Sequence, residues 1–336
     1  MIVLGIETSC DECAASCVKD GRAIISNVVS SQVELHKKYG GVVPEIAARA
    51  HVEAIIPVVD SAITGIKPDA VAVTVGPGLV GSLLVGVSAA KALAWGWGVP
   101  LIPVNHIEAH ILAPACEGNL PPFPFIALVV SGGHTLLALV RDSDQMEIIG
   151  STCDDALGEA YDKVAKFLGL GYPGGPVIEK VSEEGDANAI PFPRAMMKSP
   201  DYNFSFSGLK TAVIRFVEKN GLLGNREAVK DVAASFQMAA LEVVVSKTVR
   251  AAMEFRLNSV VVGGGVACNR TLRSLLLKDC ERAGLRVVFA SPMLCTDNAA
   301  MVAAAGYMRF LKGYRAGFDL DVYPSLKVGE NREREV

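Results

Sequence analysis

Apolar and polar positions along the chain repeat one phrase twice. From Ile2 an apolar strand "IVLGI" runs into a polar turn "ETSCDE", a second strand "CAASCV", a charged turn "KDGR" and a third strand "AIISNVV". From Phe125 the same order returns as "FIALVV", "SGGHT", "LLALV", "RDSDQ" and "MEIIG". Each triple leads into a stretch with apolar residues at intervals of three and four, "PEIAARAHVEAIIPVVDSAI" and "DDALGEAYDKVAKFLGL", which predicts a helix. Each half then has a strand entering a Gly-rich turn and a helix: "AVAVTVGPGLVGSLLVGVSAAKAL" and "SVVVGGGVACNRTLRSLLLKDC". The repetition predicts an α/β protein of two related domains with a ligand site in the cleft between them.

The Pro-rich "GNLPPFP", residues 118 to 124, is the expected boundary, with a second breakpoint near Ser291-Pro292 after the strand "RVVFA". The expected domains are residues 1–117 plus about 295–325, and residues 124–294. A last helix from about Asp297 to Lys312 is expected to pack back on the first domain. The charged, non-periodic tail 328–336 is expected to be disordered.

Three turns at strand ends offer groups to a ligand. "GIETSCDE" carries Thr8, Ser9, Asp11 and Glu12; "VVSGGHT" carries Ser131, Thr135, Gly132 and Gly133; "VVGGGVACN" ends a strand and opens a helix. Glycine amides can approach an anion without side-chain obstruction. None of these turns matches a Walker loop or a dinucleotide fingerprint, and each alone reads equally as structure. Their recurrence in both halves favours a phosphate-binding site.

"NHIEAH" puts His106 and His110 one helical turn apart, able to share a metal ion, while Glu108 falls roughly 200° around the helix from His106. A zinc protease needs Glu directly after the first His, where Ile107 stands. The pair needs a third ligand, and Asp297 in "LCTDNAAMVAAAGYM" is the candidate. At a helix start a carboxylate is either a cap or a ligand, and the capping preference of Asp puts the cap first.

Composition narrows the setting. Of 336 residues, 51% are hydrophobic but only 6% aromatic, which suits buried parallel strands under helices. The net charge of −4 argues against a generally basic nucleic-acid binder, leaving room for a local patch. The uncharged stretch from Val71 to Ala90 has the length of a membrane span, but Gly76-Pro77-Gly78 cuts it into strand, turn and helix, so no membrane association is expected. The N-terminus reaches acidic residues too soon for a signal peptide. Eight cysteines without framework spacing fit a reducing, cytoplasmic setting. Cys10-x-x-Cys13 lacks a matching second pair and reads as packing rather than zinc.

The motifs "GIETSCDE", "GGVVPEIAAR", "NHIEAH", "VSGGHT", "GYPGGP", "YNFSFSGLKT", "VVVGGGVACN" and "CTDNA", in order from about Ile2 to Tyr307, resemble those of the bacterial TsaD family, the tRNA adenosine threonylcarbamoyltransferases. The family was formerly described as a glycoprotein endopeptidase on the strength of its histidine motif. The resemblance implies the duplicated actin-like, hexokinase-like (ASKHA, ribonuclease H-like) fold. It implies transfer of threonylcarbamoyl from its adenylate to N6 of the adenosine beside the anticodon, in tRNAs reading codons that begin with A, with release of AMP. It implies one divalent metal ion per subunit, iron or else zinc, on His106, His110 and Asp297. An adenine nucleotide (threonylcarbamoyl-AMP, AMP or ATP) is implied at Val130, Ser131, Gly132, Gly133, His134, Asp162, Gly175 and Asn269. Glu179 joins that set where the family commonly has Asp. Cys13 stands where the family has Thr.

An acyl-adenylate is already activated, so the protein has chiefly to position it and stabilise charge on its carbonyl oxygen. Asp11 or Glu12 could take the proton from the attacking amine, or serve the turn. For tRNA the segment from Arg194 to Arg215 interleaves Arg194, Lys198, Lys210 and Arg215 with Tyr202, Phe204 and Phe206, which suits phosphate contact and stacking, or else a core edge with a cationic rim. The family also implies a TsaB-like paralogue and a TsaE-like ATPase as partners. The rival readings are a small-molecule kinase of the same fold and a metalloprotease.

Overall fold

The computed structural model describes residues 1–330. The chain divides into two compact units: one of Met1–Pro122, Arg141–Glu147 and Ala290 onward, the other of Phe123–Val140 and Ile148–Phe289. Two findings differ in detail from the expected boundaries: the 141–147 hairpin tip belongs to the first unit, and that unit resumes at Ala290.

In the first unit β1 (Ile2–Glu7), β2 (Glu12–Lys19) and β3 (Ala23–Ser31) form an antiparallel meander. A short α1 (Val33–Lys37) and the long α2 (Pro44–Ile63) follow, the latter with Pro44 in its first turn, where a missing N–H costs nothing. Then come β4 (Ala70–Gly76), α3 (Val80–Trp97), β5 (Leu101–Asn105) and α4 (His106–Leu112). Strand order is β3-β2-β1-β4-β5, with β1, β4 and β5 parallel. Every residue of β4 and β5 is buried, as expected of parallel strands covered on both faces. The uncharged stretch around Gly76-Pro77-Gly78 is indeed strand, turn and helix.

The second unit holds β6 (Phe125–Val130), β7 (Thr135–Asp142), β8 (Gln145–Ser151), α5 (Leu157–Phe167), α6 (Gly174–Ser182), α7 (Ser207–Lys219), α8 (Arg226–Glu254), β9 (Ser259–Gly263), α9 (Arg270–Arg282) and β10 (Arg286–Phe289). Its order, β8-β7-β6-β9-β10, repeats that of the first sheet, with β6 antiparallel to β7 and parallel to β9. The duplicated α/β architecture read from the sequence is therefore present in both sheets. By length and composition α3 and α8 could each cross a membrane; 78% of the most apolar 18-residue window of α8 is buried inside the protein, where its apolar residues already have partners.

The chain then returns to the first unit through α10 (Pro292–Cys295) and α11 (Ala299–Leu311). Helix α11 lies directly on the first sheet. A Cβ on Gly5 of β1 would stand 2.2 Å from the Ala299 carbonyl oxygen, and one on Gly306 would stand 2.3 Å from the Ala72 Cβ. Only glycine permits either approach. The following segment is strapped to the same unit: Tyr323 N–H donates to the Val75 carbonyl (2.7 Å) and Asn105 Nδ2 to the Lys327 carbonyl (3.1 Å). Val328 is buried and Gly329 N–H donates to Glu108 Oε1 (2.9 Å), so the start of the expected disordered tail is held; residues 331–336 lie outside the described residues.

Candidate metal centre and ligand turns

Parallel strands deliver their C-terminal ends, and the turns after them, to one edge of a sheet. In the first unit that edge gathers Glu7 from the end of β1, Thr74 near the end of β4 and Asn105 at the end of β5. Asn105 Oδ1 accepts from the amides of Ile107 (2.9 Å) and Glu108 (3.3 Å), capping α4 so that the helix starts at His106 itself. His106 and His110 then project one turn apart, with ring centroids 4.7 Å from each other.

Asp297 is brought to them by the turn between α10 and α11. It is not the helix cap: Asn298 is, accepting from Met301 N–H (3.0 Å) while its Nδ2 donates to the Thr296 carbonyl (2.7 Å). The preference for a capping Asp297 is thus corrected, because its neighbour is as good a cap and takes the position. Asp297 Oδ1 lies 3.0 Å from His110 Nε2 and 3.7 Å from His106 Nε2. One ligand atom from each of the three residues lies within 4.8 Å of the others, and this is the one such group of three among the described residues.

Two imidazoles and a carboxylate, buried or nearly so, form a donor set suited to a borderline divalent ion such as iron or zinc. Glu108 is not part of it. It accepts from Gly329 N–H and pairs with the buried Arg309 guanidinium at 3.5 Å, the structural role its angle on the helix foretold.

Behind the cluster, His106 Nδ1 lies 2.9 Å from Glu7 Oε2. Burial pulls the His106 imidazolium down, but the carboxylates of Glu7 and Asp297 outweigh it and set it at about 9. Glu7 responds in kind: burial pushes it up, and the charge and hydrogen bond of His106 hold it below the usual carboxylate range. Glu12 is driven the other way, up to about 10, by burial and then by the neighbouring Asp297 and Asp11. Asp11 is buried in the same turn, and its carbonyl accepts from Gln32 N–H at 3.0 Å.

In the second unit the corresponding edge gathers the ends of β6 and β9. Val130 ends β6, and the turn Ser131 to His134 is closed by Ser131 N–H to the His134 carbonyl (2.8 Å) and His134 N–H to Ser131 Oγ (3.1 Å). Gly264, after β9, presses on Val130: its Cβ would meet the Val130 carbonyl oxygen at 2.4 Å. Gly158 N–H donates to the Ser131 carbonyl (3.2 Å), which ties the turn to α5 one turn before Asp162. Asp162 Oδ1 accepts from Gly174 N–H (2.6 Å) at the start of α6.

Asn269 caps α9 through Leu272 N–H (2.9 Å) and donates to Gln237 Oε1 (2.8 Å). Glu179 accepts from Arg270 N–H (2.7 Å), and the Arg270 guanidinium also bonds Glu183. The Ser131 turn is thus bonded to the start of α5, the helix that carries Asp162, and Glu179 is bonded to Arg270, the residue after Asn269. A Cβ on Gly132, Gly133 or Gly175 would meet nothing within 4 Å, so no protein neighbour demands glycine there. Open space above exposed amides suits ligand approach.

The cationic segment is partly corrected. Phe204 and Phe206 are fully buried and stack on each other, so they are core and not a platform for bases. Lys210 is paired with Asp155 (2.6 Å) and Arg194 with Glu242 (2.8 Å), while Lys198 and Arg215 are exposed. The sequence reading missed Glu7, Thr74 and Gln237. For Glu7 a signal existed: an acid closing an otherwise apolar strand.

The description "TsaD: tRNA N6-adenosine threonylcarbamoyltransferase" matches residues 23–304. A tRNA N6-adenosine threonylcarbamoyltransferase of Symbiobacterium thermophilum is 52% identical over 98% of this chain and 97% of its own. That of Bacillus subtilis is 52% identical over 98% and 96%. Among solved structures, HypF of T. kodakarensis superposes with a TM-score of 0.63 at 16% identity, over 93% of this chain but 48% of that one. A ROK family glucokinase of Streptomyces griseus gives 0.50 at 17% identity, over 92% of this chain and 100% of its own. Such distant likenesses speak to the fold, an actin-like α/β architecture.

Proposed function

The chain belongs to the TsaD family of tRNA N6-adenosine threonylcarbamoyltransferases, and we propose that it works with a divalent ion on His106, His110 and Asp297 and an adenine nucleotide on the glycine-rich turns of the second unit. Its reaction moves threonylcarbamoyl from threonylcarbamoyl-AMP to N6 of the adenosine adjacent to the anticodon, in tRNAs reading codons that begin with A, and releases AMP. The observation that carries the metal assignment is the approach of Asp297 to both histidines across 187 residues of sequence from His110.

When bound, the ion, iron or zinc, supplies Lewis acidity to polarise and orient the acyl group. The protein's own contribution is positional. The amides of Gly132 and Gly133 suit the phosphate or the developing oxyanion, and Asn269, fixed by its two hydrogen bonds, presents a set orientation to the nucleotide. Asp11 and Glu12, adjacent where β1 turns into β2, are the candidate proton acceptors for the attacking amine.

The tRNA is the second substrate, and a TsaB-like paralogue and a TsaE-like ATPase are the partners this reading expects. The exposed apolar side chains of Val52 (63% exposed) on α2 and Leu84 (46%) on α3 line one surface depression with Ile55 and Val85, which supports a protein partner. A tRNA substrate and eight cysteines without framework spacing favour the cytoplasm.

The deciding experiment supplies threonylcarbamoyl-AMP and tRNA to the protein with its partners and measures the modified nucleoside by mass spectrometry. No product, from partners that work with a known homologue, would refute the reading. Phosphorylation of a sugar or acid from ATP would favour the kinase reading instead.

A further inference from the structure

The geometry points to Glu7 as a positioning residue that fixes the tautomer of His106 and thereby aims its Nε2 at the metal. This rests on the metal reading above. Glu7 is fully buried at the end of β1, where a carboxylate without partners would be strongly disfavoured. It is instead saturated: Oε1 accepts from Ser9 N–H (2.6 Å), and Oε2 accepts from the Thr74 hydroxyl (2.7 Å) and faces His106 Nδ1 (2.9 Å). A metal ion held on Nε2 would leave the ring's one proton on Nδ1, the nitrogen that Glu7 Oε2 and, at 3.2 Å, Ser9 Oγ both face. The lone pair then stays on Nε2, the nitrogen that faces Asp297 at 3.7 Å.

His110 is held differently. Its Nε2 faces Asp297, and its buried Nδ1 has no hydrogen-bond partner among the described residues. The two ligands are thus unequal: a buried carboxylate stands behind the ring of one, while the rear nitrogen of the other meets no polar group among the described residues. Carboxylate partners of metal-bound histidines characteristically orient the ring and raise its basicity. Thr74 belongs to the same device, because its hydroxyl holds Glu7 Oε2 from the far side.

The test uses the full-length protein and zinc as the probe, with affinity read by competition against a chromophoric chelator. Glu7→Gln keeps the shape but presents an amide where an acceptor is required, and should weaken zinc about 10- to 100-fold. Thr74→Val should weaken it less, by a few fold. If Glu7 acts through His106, then Glu7→Gln combined with His106→Ala should bind no more weakly than His106→Ala alone. In the zinc-loaded wild type the His106 Nδ1 proton should appear far downfield in the NMR spectrum and vanish from that position in Glu7→Gln.

Wild-type affinity in Glu7→Gln, or losses that add to that of His106→Ala, would overturn the inference while leaving the metal site standing. A wild type that binds no zinc or iron would remove both. Thermal unfolding of the metal-free variants checks their folding; should Glu7→Gln fail to fold, Thr74→Val and its cycle with His106→Ala decide the matter by the same criteria.

Discussion

Replacing Gly5 by alanine tests whether the seat of α11 governs the metal centre. The new Cβ would stand 2.2 Å from the Ala299 carbonyl oxygen and 2.7 Å from the Ala303 amide nitrogen. Ordinary carbon–oxygen contact is about 3.3 Å, so the helix must retreat by about 1 Å at its first turn. Asp297 lies just before that turn and would lose its 3.0 Å and 3.7 Å approaches to the histidines. Overpacking of this kind costs about 1–3 kcal/mol, a fall in melting temperature of roughly 2 to 10 °C. A 1 Å misplacement of a ligand is expected to cost on the order of 100-fold in transfer rate. Gly306→Ala is the control, because it overpacks the far half of the same helix, 2.3 Å from the Ala72 Cβ. Differential scanning fluorimetry should find both variants destabilised, and zinc titration should find only Gly5→Ala strongly weakened. Equal zinc affinities in the two variants would refute the reasoning.

Other outcomes follow from the same contacts. Glu108→Ala should lower stability by removing the buried carboxylate beside Arg309, yet the folded fraction should keep its zinc affinity, as measured by chemical denaturation and titration. Asn298→Ala should lose about 1 kcal/mol as a missing cap without removing a metal ligand, whereas Asp297→Ala should abolish zinc binding and nucleoside modification together. Gly132→Val should leave the melting temperature near wild type, because its Cβ points into open space, while weakening AMP at least tenfold by calorimetry. Asp155 has its carboxyl raised by burial but lowered further by Lys163 and Lys210, to about 2. A depressed folded-state value means that its stabilisation is present above about pH 4 and is lost as pH falls toward 2. The melting-temperature gap between wild type and Asp155→Asn should therefore close on acidification; a gap constant from pH 7 to 3 would contradict the ion pairs.

Much of this fold was legible because the repeat is written in strand and helix periods that do not depend on partners. The boundaries of α2 and the strand, turn and helix around Gly76 emerge from apolar spacing and Pro44 alone. The two histidines were legible for the same reason, since a one-turn spacing on a helix needs no tertiary knowledge. Asp297 was harder: adjacent Asp and Asn compete for a single cap, and only the packed turn decides which of them is released. Phe204 and Phe206 misled because aromatic spacing is the same for a stacking surface and for a core. Glu7 and Thr74 meet only through the register of β1 beside β4, which pairs Ile6 with Val73, and no local pattern encodes that.

The lodging of α11 on β1 also sets a timetable. The ribosome delivers His106 and His110 early, and Asp297 only after the entire second unit, residues 123–289 apart from the hairpin tip, has emerged. At about 5–20 residues per second that interval is on the order of 10 to 40 seconds. Throughout it the nascent chain carries two imidazoles without their carboxylate, and a first sheet that lacks the helix meant to cover it. The second unit can complete itself meanwhile, but the first cannot. A metal ion held by these three residues would therefore be incorporated late in the life of each molecule, and a polypeptide interrupted anywhere before Asp297 would offer only two of the three.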